Sequence, residues 1–427
     1  MSTNKIKITF ELLHSVFVCF ILLLFSNRIC AQNLLQKKYD FRYGGVGAEY
    51  LYAICPLRTA GSVLGGSSSS AISGDKTDVA FGELDYWILK IDGLGNKIWD
   101  NDFGGSSGNI LSDLRETTDN GLILGGFSNS QISGDKTQDT WGGMDDFDIW
   151  IIKTDSLGNK QWDKDFGTIS KDELVCINQT KDGGYIIGGN TSAGISGDKS
   201  QATWGDQDYW IIKIDSLGNK EWDKDFGTSN FDKLNCVQQT NDGGYLIGGY
   251  TDAGISGDKT EDTWGLTDYW IIKTDSFGNK EWDKDFGGLG NDLFTWLEKT
   301  NDGGYIIGGY SESNSSGNKT QDTWGYTRYG YYNDFDFWIL KLDSIGNILW
   351  DKDFGGNSSE VLTRLSITSD EGYLLSGVSI SSASGDKTED NIGGIEMWMI
   401  KTDYFGNRQW DKTARTSLLP QQQKKFS

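Results

Sequence analysis

One segment of about sixty residues recurs six times along the 427 residues of this chain, and a period of that size means stacked or ring-closed repeats. The clearest copies, Thr180 to Gly227 and Thr240 to Gly287, are close to one sequence written twice. The Asp that opens a DSLGN-type turn falls at Asp92, Asp155, Asp215, Asp275, Asp343 and Asp403, giving steps of 63, 60, 60, 68 and 60 residues. The length would suit two or three ordinary domains, but the repeat fills nearly all of it, so one repeat domain over residues 32–413 is expected.

Each copy carries four short β-type runs. In the third they are Leu174 to Thr180, Gly184 to Asn190, Asp208 to Asp215 and Lys220 to Phe226, rich in Val, Ile, Tyr and Trp and set off by Gly, Asp, Asn and Ser. A DGG turn joins the first two runs. DSLGN joins the last two, with Asp to start the turn and Gly for its left-handed position. Four antiparallel strands in a meander, repeated with glycine pairs and Trp at constant offsets, predict an all-β fold: a β-propeller of four-stranded antiparallel blades. Third-strand Trp recurs at Trp87, Trp150, Trp210, Trp270, Trp338 and Trp398, and fourth-strand Trp at Trp99, Trp162, Trp222, Trp282, Trp350 and Trp410. Six blades follow, with Tyr39 in YDFRYGG as a worn extra outer strand. A seven-bladed ring cut short is the structural alternative, and either Tyr39 to Tyr43 or the Trp410 strand could complete the last blade.

The run YIIGG followed by WIIKTDSLGNKEW resembles the kelch pattern of a double glycine ending the second strand and a Trp on the fourth. The blocks DGGYIIGGY, DYWIIK and WDKDFGG are also similar to the sixty-residue repeats of secreted proteins of Bacteroidetes-type bacteria, over Tyr39 to Lys412. That resemblance implies a secreted propeller. It implies no established activity, although an endoglucanase-like label is attached to some such repeats.

Lys5 and Lys7 precede the apolar run Val16 to Phe25, and Ala31 follows, which reads as a secretory signal peptide over residues 1–31. A secreted or cell-surface location is expected, with no membrane span after cleavage and a disordered tail over 414–427. Without residues 1–31, which hold three basic and one acidic residue, 36 basic residues face 60 acidic ones, a net charge near −24. That balance disfavours nucleic acid and anionic membranes as partners. The one His, His14, lies in the signal, so His bases, Ser/His/Asp and Cys/His catalysis and His-ligated metals are excluded from the mature part. Cys55, Cys176 and Cys236 remain. Their odd number leaves at least one outside any intramolecular bridge, and Cys176 and Cys236, equivalent in neighbouring copies, read as buried thiols.

In a meander the short turns share one end of the blade and the long GDKTxDTWG loops share the other with the FGG connections. The long-loop end is the candidate working face. Its loop indoles Trp141, Trp204, Trp264 and Trp324 are either plugs or platforms for stacking sugar rings or an apolar partner surface. The fifth copy expands by eight residues, GYTRYGYYNDFDFW, and Tyr326, Arg328, Tyr329, Tyr331 and Tyr332 there are the first choice for contact with a glycan or an extracellular protein. Trp296, on the innermost strand of the same copy, is a second departure from the repeat. GDKT lacks the frame of a phosphate loop, and its Asp and Lys are expected to brace the loop from blade to blade. The pairs Asp163/Asp165 and Asp223/Asp225 in WDKDFG lack the string of carboxylates of a calcium loop and read as a solvated outer strand; neither Ca²⁺ nor another cofactor is expected. No carboxylate pair differs from its copies, so no catalytic residue is assigned. A monomeric, non-enzymatic binding or adhesion propeller is the first reading; a hydrolase using a carboxylate pair and a purely structural surface protein are the alternatives.

Overall fold

The structure, a computed structural model, describes residues 41–143, 146–325 and 334–414. The signal segment, Tyr39 and the chain beyond Ala414 lie outside the described residues. Among those described there is no helix, and so none long and apolar enough to cross a membrane.

Six four-stranded antiparallel sheets, each paired in sequence order, form the blades of a six-bladed β-propeller. They span residues 49–103, 109–166, 172–226, 232–286, 292–354 and 360–414. The third blade has strands Asp172–Gln179, Tyr185–Thr191, Asp208–Ile214 and Lys220–Phe226, within two residues of the runs read from the sequence. Blades 1 to 4 lie in one compact unit, Met1–Phe286, and blades 5 and 6 in a second, Gly287–Ser427.

The last blade takes its fourth strand, Arg408–Ala414, from the contiguous chain, so the Trp410 segment completes it. The described part of the worn copy, Phe41 to Tyr43, is no strand. It reproduces a blade-to-blade connection instead: the Phe41 ring lies against Gly95, Tyr43 packs on the first blade's third strand, and Gly44 O accepts from Asp75 N at 2.9 Å as Gly104 O accepts from Asp135 N at 2.8 Å.

The repeat landmarks interlock. In the DSLGN turn, Asp155 Oδ1 accepts the N–H groups of Leu157 and Asn159 at 2.8 and 2.9 Å, and Gly158 takes φ 84°. Third-strand Trp residues are buried, and each indole N–H donates to the first Asp of WDKDF, as Trp210 does to Asp223 at 3.2 Å. Aromatic wedges join successive blades: Tyr86 meets Trp150 at 4.9 Å between centroids, Tyr209 meets Trp270 at 5.1 Å, and Phe337 meets Trp398 at 5.2 Å.

The glycine pair is a close-approach device. A Cβ on Gly188 would lie 2.6 Å from Leu234 of the next blade, and one on Gly249 would lie 2.1 Å from the Lys233 carbonyl oxygen and 2.4 Å from the Tyr209 hydroxyl. The first glycine makes room for the neighbouring blade, and the sixth blade carries Ser376 there. Gly249→Ala should therefore cost roughly 1–3 kcal/mol in urea unfolding, because main chain cannot yield as a side-chain tip can. Gly194→Ala, with nothing within 4 Å of its new Cβ, should be near neutral; equal costs would contradict the close-approach reading.

Candidate functional site

The long loop starts with a tight turn. In the third blade Lys199 N donates to Ser196 O at 2.9 Å around Gly197, φ 55°. The turn drives Lys199 inward until its ammonium is buried against Asp225, 2.6 Å away, the second Asp of WDKDF. The same pairing joins Lys76 to Asp102, Lys136 to Asp165, Lys259 to Asp285 at 2.6 Å, and Lys319 to Asp353. A second carboxylate closes each group: Asp208 lies within hydrogen-bonding reach of Asp225, and Asp268 of Asp285. Burial, with the neighbouring Asp208 adding to it and Lys199 opposing, pushes Asp225 up to about 9. In the sixth blade Thr413 stands where the second Asp would be, and Lys387 faces Glu396 at 4.0 Å and donates to Ser381 O at 2.6 Å.

These contacts correct two expectations. The outer-strand carboxylates are not solvated: Asp163 and Asp165 are 6% and 4% exposed, because the long loop folds over their strand and delivers the lysine. Nor does the GDKT lysine brace one blade to the next, since it pairs within its own blade. The Asp beside it does cross blades: Asp198 accepts from Gly167 N at 3.2 Å and from Trp141 Nε1 at 2.9 Å, both of the preceding blade. Among the described residues, no group of three or more His, Cys, Asp or Glu is placed to hold a metal ion.

The four loop indoles, Trp141, Trp204, Trp264 and Trp324, are 55%, 59%, 50% and 53% exposed. The edges of three of them are anchored, Trp141 to Asp198 among them. Trp324 Nε1 donates to Asp386 at 2.9 Å, and Trp204 hydrogen-bonds Asp258. Trp204 also lies over Gly257, and Trp324 over Gly385, the left-handed glycines of the following loop. The rings of Trp204 and Trp324 thus each have one face against the next blade and the rest open, part brace and part platform. Phe81 takes the place in the first blade and is 50% exposed. Ile72, Ile132, Ile195 and Ile255, from the same loops, are also exposed.

Tyr326, Arg328, Tyr329, Tyr331 and Tyr332 lie outside the described residues. The base of their loop is described: a Cβ on Gly325 would lie 2.8 Å from Asp334, so the two ends meet, and Phe335 packs edge-on against Tyr310 at 5.1 Å. Trp296 sits on the first strand of its blade, donates to Glu298 at 2.9 Å, and lies under the Arg364 guanidinium, 3.5 Å from the ring centroid.

Two groups go beyond the sequence reading, which had only the burial of Cys176 and Cys236. At the position of Trp296 the first strands of the larger unit carry Ala53, Asp113, Cys176 and Cys236, a place where the copies differ in chemistry. Asp113 pairs with Arg115 at 3.1 Å and accepts the N–H of Ile177 of the next blade at 3.1 Å. Cys176 Sγ takes the equivalent N–H of Val237 at 3.2 Å, and burial pushes its thiol up to about 12. All three thiols are buried and outside any disulfide, and all act on the Arg115 guanidinium electrostatically. A thiol so held is protonated and unreactive at neutral pH.

The second group is at the short-turn end. A cavity of about 280 Å³ between blades 5 and 6 is lined by Thr300, Asn301, Asp302, Ile367, Glu371, Tyr373 and Tyr404. Two of these break the repeat. Glu371 replaces the turn glycine found at Gly183, Gly243 and Gly303, and Tyr404 replaces Ser156, Ser216, Ser276 and Ser344. Both departures are single substitutions, less conspicuous than an insertion.

No family model matches the chain, and no curated protein matches it. Among solved structures it is similar to Sqt1 from Chaetomium thermophilum, at 10% identity over 86% of this chain and 73% of that one, TM-score 0.43. It is also similar to Kuenenia stuttgartiensis hydrazine synthase, at 9% identity over 90% and 99%, TM-score 0.45. A protein of unknown function from Dyadobacter fermentans DSM 18053 follows at 10% identity over 83% and 96%, TM-score 0.42. At these identities and scores none of them lends this chain a function.

Proposed function

We propose that the protein is an exported, non-enzymatic binding propeller whose long-loop face meets a glycan or an extracellular protein. The observation that carries this reading is the half-open indole repeated at Trp141, Trp204, Trp264 and Trp324, with its N–H held by the next blade in the copies at Trp141, Trp204 and Trp324. A ring fixed at its edge loses little freedom when a pyranose or an apolar side chain stacks on its open face. The strongly acidic chain favours neutral or cationic partners over sulfated or uronic polymers. The carboxylate pairs that a hydrolase would use are committed to Lys, Trp and Ser or Thr partners within the blades.

The test is a glycan array together with binding to extracellular protein preparations, using the parent, a Trp141→Ala/Trp204→Ala variant and a Tyr331→Ala/Tyr332→Ala variant. Loss of binding in the first variant, by roughly tenfold or more, with the β-sheet circular dichroism kept, supports the indole platform. Loss only in the second moves the contact to the fifth-blade expansion. Release of sugar by the parent would instead establish the hydrolase.

A further inference from the structure

We propose that the short-turn cavity between blades 5 and 6 is a second binding site, independent of the long-loop face, that takes a primary ammonium group on a short stem. Such a group is carried by a lysine side chain or by an amino sugar. At about 280 Å³ the cavity is at the small end of ligand pockets and suits a side chain or a single sugar, not a polymer.

The Tyr373 hydroxyl marks the place of the missing group. The residue is fully buried and lines the cavity, yet its oxygen finds no hydrogen-bond partner among the described residues. A buried hydroxyl left so costs free energy unless a ligand completes it. Its surroundings say of which charge. The groups acting on it are Tyr404, Asp302, Asp403 and Glu371, all acidic. Asp302 is already matched by Lys341 at 2.9 Å and by the Tyr404 hydroxyl at 2.8 Å, and Lys341 and its other hydrogen-bond donors hold it well below the usual carboxylate range against its partial burial. Glu371 is exposed, and its carboxylate accepts a 3.3 Å bond from Asn301 Nδ2. Carboxylate and tyrosine rings around a small cavity are the chemistry that recognises an ammonium.

The backbone supports the same reading. Glu371 holds φ 63° where the equivalent residues are left-handed glycines, so the turn keeps a carboxylate at a conformational cost. The one other non-glycine described with positive φ, Asn120, lines the corresponding cavity of about 310 Å³ between blades 1 and 2. There Leu122 and Ser156 stand where Tyr373 and Tyr404 do, so the tyrosine pair is peculiar to the last blade.

The test is ligand-observed NMR on the full chain with n-butylammonium, N-acetyl-lysine methylamide and glucosamine, against the neutral isosteres n-butanol and glucose. Ammonium ligands should bind roughly tenfold or more tighter than their neutral counterparts. Glu371→Gly should weaken them by a similar factor while leaving the melting temperature unchanged or higher, which separates loss of the site from loss of the fold. Tyr373→Phe should weaken them severalfold with the strand intact. Trp324→Ala, at the other end of its blade, should bind as the parent does, so failure of the long-loop reading leaves this one standing. The order of the lysine amide and glucosamine assigns the source of the ammonium. Equal binding of the neutral isosteres, no binding of any ammonium, or full binding by Glu371→Gly would each overturn the proposal.

Discussion

Lys199→Met is expected to destabilise the protein by about 3–5 kcal/mol. The Lys199 side chain is wholly buried and Asp225 nearly so, so water cannot replace the lost cation. Asp225 and Asp208 would be left facing each other with no counter-charge, and Asp232 of the next blade adds a further buried carboxylate nearby. Urea unfolding of parent and variant measures the effect. The companion variant Lys199→Met/Asp225→Thr removes the stranded carboxylate, with the threonine that the sixth blade carries at Thr413, and should recover at least half of the loss. As a control, Lys220→Met removes a partly exposed ion pair with Asp223 and should cost under about 1 kcal/mol. Comparable costs for Lys199 and Lys220 would show that the buried ammonium is not what holds the loop to the outer strand.

Stability is expected to fall as pH rises from about 5 to about 9, the reverse of ordinary acid denaturation. Burial pushes Asp225 and Asp285 up to about 9, Asp102 to about 8, and Asp172 and Asp232 to about 7, against an ordinary value of 3.8. A carboxyl raised in the folded state keeps a proton that the unfolded chain has already released. Its contribution is fully present below the unfolded value and lost as pH climbs through the folded one, at up to about 1.4 kcal/mol per pH unit for each extra proton held. The turn carboxylates work oppositely over a lower range. Asp119 and Asp242, held at about 2 by hydrogen bonds from Thr117 and Lys153 and from Lys273 and Thr240 that outweigh their burial, contribute above about 4 and lose that contribution as pH falls towards 2. The optimum should thus lie on the acid side of neutrality. Unfolding free energies at pH 5, 7 and 9 check this, and Asp225→Asn should flatten the slope. A rise in stability over that range would rule out a shared proton in the buried carboxylate pairs.

Much of the architecture was legible because each landmark is local chemistry. Asp155, Gly158 and Asn159 build their turn from their own backbone and side chains, and the count of such turns is the count of blades. The third-strand indoles recur at one place in every copy, as side chains that wedge one blade against the next must. Asp163 and Asp165 were misread for the opposite reason: an alternating Asp in a charged stretch looks solvated until a lysine 29 residues away is folded onto it. The loop indoles were found as candidates, while their attachment to the next blade depends on an Asp 57 residues later.

The amino-acid sequence by itself thus determined the strands, their order and the six-fold recurrence, since turn preferences and apolar alternation act over a few residues. Tertiary structure alone decided which charges are buried together and where a cavity forms. Tyr404 meets Asp302 across 102 residues of chain, and Tyr373 loses its water only when two blades close over it. Burial and the electrostatics that follow from it are properties of neighbours in space, and no local pattern records who those neighbours are.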